Sequence, residues 1–189
     1  MKTLAVALLL AAAGVSQPIS IGLANGTERE RQTKARLETI LASYDLRPYA
    51  FAHELTIAET GHRPRPPALA LSTRFADSSD DLLSAYLHKQ FHWYLRGRSA
   101  ELLGAAGELR WMYPSAPVGL PAGATTAAKT YSHLVSCYLE IHATRHVLGA
   151  DRTITVIKNK PRYTWVYQTV LDDEQRIGAV VRRHGLKIE

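Results

Sequence analysis

The sequence predicts an α+β domain, mostly helical, with a small β-sheet ahead of a helix that carries two histidines four residues apart. Three observations lead there. Two short runs of strand length, Tyr49–Ile57 and Ala68–Thr73, are rich in aromatic, β-branched or small apolar residues and come early in the chain. Longer stretches with apolar residues at helical spacing take up most of the remainder. The chain has 189 residues, enough for one hydrophobic core and too few for two comfortable ones.

Taken in order, residues 1–24 read as a secretory leader. Lys2 supplies the positive start, Leu4 to Ala13 is an unbroken apolar run, and small residues follow, with cleavage expected after Ser16 or after Ala24. The apolar run is about half the roughly 20 residues a membrane span needs. No cysteine follows it to carry a lipid anchor. The expectation is a periplasmic or secreted protein without stable membrane insertion, residues 25–189 forming a single domain. Thr27 to Tyr44 is charged and amphipathic, with Leu37, Ile40 and Leu41 on one side, and reads as a helix. Tyr49–Ile57 and Ala68–Thr73 read as strands around a Pro-rich turn, His62–Pro67. Ser78, with Asp81 three residues on, opens a helix that runs to about Leu95. A second helical stretch covers Ala100 to about Trp111. Tyr113–Thr126 holds three prolines and two glycines and reads as a loop. Ala128 to Leu148 is the next strong helix, closed by Gly149. Tyr163–Leu171 is apolar and aromatic without a clear period. Asp172 to His184, acidic at its start and basic at its end, is a last helix stopped by Gly185.

Charge and cysteine content narrow the function classes. The net charge is +6, and the basic residues are scattered, with no dense stripe or nucleic-acid-binding motif. Nucleic acid is therefore not an expected partner. A solvated basic surface is the plain reading, with a peptide or an anionic envelope polymer as the partner class export would permit. The lone cysteine, Cys137, excludes an intrachain disulfide and reads as a small buried residue. No G-x-S-x-G, P-loop or dinucleotide fingerprint is present, which weakens serine hydrolase, kinase and dehydrogenase readings.

The chemistry-bearing feature is His88-Lys89-Gln90-Phe91-His92. On a helix, residues four apart stack on one face, so both imidazoles reach a single cation. The spacing alone is not specific, since His142 and His146 repeat it. Helical geometry separates the two pairs. Leu134, Cys137, Ile141 and Leu148 cluster on one side of the later helix, with His133 and Glu140 at the edge of that side, whereas His142 and His146 point towards solvent. A buried carboxylate needs a partner, a proton or a metal. Glu140 is thus the preferred third ligand, with His133 the next choice or a supporting group.

These residues carry a resemblance. The helix with HKQFH, followed by Trp93 and Tyr94, resembles the H-E-x-x-H helix of the zincin metallopeptidases with its second residue changed. The helix bearing Glu140 resembles the glutamate-ligand helix of the gluzincin branch, and two extended segments ahead of the first helix fit zincin order. The similarity spans Tyr49 to Gly149 as an order of elements. It implies zinc as cofactor, with His88, His92 and Glu140 as ligands and a water in the fourth position. The departure is Lys89, which stands where zincins carry the general-base glutamate. At about 5 Å and an effective dielectric of 20, its charge would repel a unit positive charge by roughly 3 kcal/mol, and zinc by twice that. Lys89 must swing away, or lose its proton, or displace the metal by pairing with Glu140. The expected function is an exported zincin-like protein that keeps the zinc site and has lost peptidase chemistry. Two alternatives stand beside it: a metal-dependent peptidase or amidase using another base, such as His133 or Asp81, and a metal-free envelope interaction module.

Overall fold

The computed structural model describes residues 19–59 and 69–188. The greater part of the expected leader and the whole Pro-rich turn lie outside the described residues. The molecule is an α+β domain, mostly helical, with a small three-stranded sheet.

The sheet is parallel throughout, in the order β1 (Ser20–Leu23), β2 (Glu54–Ala58), β3 (Leu69–Ser72). Parallel neighbours require a crossover, and α1 (Glu28–Ser43) lies in the chain between β1 and β2. Thr27 caps α1 with its hydroxyl on the Glu30 N–H, and the Glu30 carboxylate returns to the Thr27 N–H. Register pairs Leu55 with Leu69 and Ile57 with Leu71, and all four side chains are buried, so one sheet face enters the core. The strand predicted over Tyr49–Ile57 begins later than expected. Pro48 opens a one-turn 3-10 helix, Arg47–Tyr49. The Phe51 and Ala52 N–H groups then donate to Gln90 Oε1, at 2.9 and 2.8 Å, so this segment pairs with a side chain rather than a strand.

The helical layer is built around α2 (Ser79–Arg96) and α4 (Ala127–Leu148), which pack on each other. Ser78 caps α2 with its hydroxyl on the Asp81 N–H, at 3.2 Å. From Leu134 to Ile141 every residue of α4 is buried, as expected of a helix enclosed on all sides. Its neighbours are α3 (Ser99–Met112), α5 (Ala150–Lys158), α6 (Thr164–Asp172) and α7 (Glu174–Arg183).

Two of these helices, α5 and α6, have no counterpart among the elements expected from the sequence. The TITVI run of α5 is β-branched, a composition that disfavours helix locally, yet burial of Thr153, Val156 and Ile157 holds it helical. The unassigned Tyr163–Leu171 run is α6. It starts from Tyr163 in the left-handed region (φ 59) with no side-chain cap, so no start signal marks it. The loop over Tyr113–Thr126 is ordered by its own hydrogen bonds. Thr130 Oγ1 accepts from the Ala124 N–H at 2.9 Å, and the Pro121 carbonyl accepts from the Thr164 N–H at 3.0 Å, tying the loop to the start of α6.

Candidate metal centre

The two faces of α2 divide the HKQFH segment. Gln90 and Phe91 turn into the core, where the Gln90 amide also donates to the Ala52 carbonyl and the Tyr86 hydroxyl, both at 3.1 Å. His88 and His92 share the other face, with ring centroids 4.5 Å apart. Across from them, α4 presents His133, whose ring centroid lies 6.0 Å from that of His88 and 5.4 Å from that of His92. His142 and His146 are exposed, and His146 Nδ1 meets the Tyr49 hydroxyl at 2.6 Å.

Glu140 is fully buried beneath this face. Its Oε1 accepts from the Ser84 hydroxyl at 2.5 Å and faces the Lys160 ammonium at 3.2 Å. Its Oε2 accepts from the Tyr167 hydroxyl at 2.6 Å and from His88 Nδ1 at 2.7 Å. A carboxylate has about four lone-pair sites, and here four donors take them. Burial by itself would raise the carboxyl's pKa. The Lys160 ammonium, then His88 and Ser84, outweigh it and hold the group well below the usual carboxylate range. The cation that meets Glu140 is therefore Lys160, from the turn after α5, and not Lys89.

This network fixes two imidazoles. An ionised carboxylate only accepts, so His88 Nδ1 carries the proton it gives to Glu140. The Lys129 carbonyl likewise only accepts, so His133 Nδ1 carries the proton in its 2.7 Å contact. With Nδ1 donating, Nε2 is the nitrogen each ring has left to offer a metal, which takes it without its proton. Burial, followed for His92 by nearby His88, His133 and Lys89, lowers the pKa values of His92 and His133, which favours the neutral, ligating form.

Among the described residues, two groups have ligand atoms that lie within 4.8 Å of one another: His88, His92 and His133, and His88, Cys137 and Glu140. The set His88, His92 and Glu140 is not one of them. The second group fits a metal poorly, because Glu140 and His88 Nδ1 are already spent on each other and on Ser84, Tyr167 and Lys160. Burial, then Glu140, also keeps the Cys137 thiol pKa well above its usual value. The three histidines fit better. Imidazole nitrogens at about 2.0–2.1 Å from a tetrahedral zinc sit about 3.4 Å apart, and one nitrogen of each of these rings lies within 4.8 Å of the others. An acceptor on the remote nitrogen of a ligating histidine is the usual support for such a ring.

The histidines open into a pocket of about 170 Å³ lined also by Arg74, Lys89, Lys160, Arg162 and Tyr163. The Tyr163 ring lies 4.2 Å from that of His133. Lys89 lines the pocket beside the histidines. Burial, then Arg74, lower its ammonium pKa. Asp81, two turns before His88 on α2, is not part of the lining. Sequence reasoning missed Lys160, Ser84 and Tyr167. The one available signal was the buried Glu140 itself, whose charge demands donors without naming them.

No family model, curated protein or solved structure matches this chain.

Proposed function

We propose that the chain is an exported zincin-like protein that holds a zinc ion through His88, His92 and His133 and has lost peptidase chemistry. The observation that carries this reading is the pair of Nδ1 hydrogen bonds, His88 to Glu140 and His133 to Lys129, which commit both rings to present Nε2. Glu140 then orients a ligand rather than ligating. Bound zinc would supply Lewis-acid character at the pocket. The loss of hydrolysis follows from the chain's own groups. Lys89 stands in the general-base position, and the nearest carboxylate, Glu140, has its lone pairs taken by four donors. His133 is excluded as a replacement base by its role as ligand.

A metal-free interaction module is the second reading, favoured by one observation: Lys160 already sets a positive charge against Glu140. Thermal unfolding separates the two. A ligand at 100 times its Kd stabilises the native state by about 2.7 kcal/mol. Zinc is therefore expected to raise the Tm of the metal-stripped protein by several degrees and a chelator to reverse it. A Tm indifferent to both would favour the metal-free module. Chelator-sensitive peptide hydrolysis by the wild-type protein would contradict the inactive reading.

A further inference from the structure

The pocket above the histidines is rich in uncompensated positive charge. Arg74, in the middle of the 3-10 turn Thr73–Phe75 that follows β3, and Arg162, beside Tyr163, are exposed at its rim, with Lys89 and Lys160 further in. The lining contains no carboxylate. Lys160 is neutralised by Glu140. Among the described residues, Arg74, Lys89 and Arg162 have no ion-pair partner. Arg74 instead lies over the Phe75 ring, 4.5 Å from its centroid. Burial, then the neighbouring Arg162, lower the Arg74 guanidinium's pKa, so the two arginines are close enough to repel. Like charges converging on a concave site without a counter-ion focus a field that favours an anion.

The size and charge of the site narrow the class. At about 170 Å³ the pocket is smaller than the roughly 300 Å³ at which sites for drug-sized ligands begin, so it admits a headgroup rather than an extended chain. A carboxylate would offset one of the uncompensated cations, whereas a phosphoryl dianion offsets two. Guanidinium forks also match phosphoryl oxygens in bidentate fashion. We infer that this pocket binds a phosphoryl group, held between Arg74 and Arg162 at its rim and facing the three histidines. The site is the one proposed for zinc, and the inference deepens that reading without requiring the ion.

The test is calorimetric titration of inorganic phosphate into the metal-stripped and the zinc-loaded protein, with acetate as the monoanionic comparison. Saturable phosphate binding is expected in both forms, with acetate about tenfold weaker or more. The double substitution Arg74→Gln, Arg162→Gln should weaken phosphate by about tenfold or more, the scale of one or two lost charged hydrogen bonds, and Arg162→Gln alone should weaken it measurably. Both positions are exposed, so Tm should change little. The inference is overturned by absence of saturable phosphate binding, by binding indifferent to the arginines, which would mean an adventitious ion only, or by acetate binding as tightly. Zinc bound without phosphate would sink this inference alone. Phosphate bound by a protein that takes no zinc would sink the metal reading alone.

Discussion

Glu140 spends both carboxylate oxygens on Ser84, Tyr167, His88 and Lys160, and its burial makes each of those partners consequential. Removing one member of a buried ion pair leaves the other uncompensated, which typically destabilises by about 3–5 kcal/mol. Glu140→Gln is thus expected to lower unfolding stability by about that amount in denaturant titrations, with Glu140→Gln, Lys160→Met recovering a large part. A single variant within about 1 kcal/mol of wild type would show that the pair is not desolvated as described. The same substitution should weaken zinc by about 10–100-fold rather than abolish it, the usual effect of losing a group that orients a ligand. Glu30 gives a separate prediction on pH. Burial of its carboxyl works upward, but the Asn25, Thr27 and Glu59 N–H groups donate to it and bring its pKa below the ordinary glutamate value. A depressed carboxyl contributes stability that is present above its unfolded pKa and is lost as pH falls towards the folded one. Tm should decline below about pH 4.5, and Glu30→Gln should flatten that decline. Parallel Tm–pH curves would contradict the assignment.

Among the elements, β1 bears on where the leader expected from the sequence would end. Ser20–Leu23 pairs with Glu54–Ile57 along its whole length, and the Ser20 and Ala24 N–H groups extend the contact to His53 and Ile57 carbonyls at 2.7 and 2.9 Å. Cleavage after Ala24 would remove this strand, whereas cleavage after Ser16 keeps it. If the chain is exported as proposed, N-terminal sequencing of the mature form is expected to begin at Gln17; a start at Asn25 would mean that its sheet has two strands. The loop after α3 offers a second test. A Cβ on Gly123 would lie 2.1 Å from the Pro117 carbonyl oxygen, which is backbone and must move to admit it. Gly123→Ala is expected to destabilise by about 1–3 kcal/mol, the range for overpacking, and a neutral effect would show that the loop is looser than described. At this scale the sequence was readable where helices announced themselves. α1 and α2 carry hydroxyl caps, α4 ends at a positive-φ glycine, and α7 has the charge gradient of a helix end. α5 and α6 were not readable, because a β-branched run and an uncapped start give no helical signal until packing against α4 is in place.

For the whole molecule, the mostly helical α+β class and the position of the sheet ahead of α2 followed from the order of elements. No helix among the described residues is long and apolar enough to cross a membrane. The candidate site was legible in part. His88 and His92 were readable because four residues of helix bring them together, and Glu140 because helical spacing turns it inward. What the fold adds is long-range. Ser84 meets Glu140 across 56 residues of chain and Tyr167 meets it across 27, and no local pattern encodes such meetings. That network spends the Glu140 oxygens on other partners, and on the proposed reading Glu140 orients a ligand while His133 joins the ligand set. Zinc content by mass spectrometry of purified wild-type protein, beside His88→Ala, His92→Ala and His133→Ala, tests this most directly. Near-equimolar zinc in the wild type, lost in all three variants, is the predicted result. Zinc retained by His133→Ala, or no zinc taken up by the wild type even with excess metal, would contradict it.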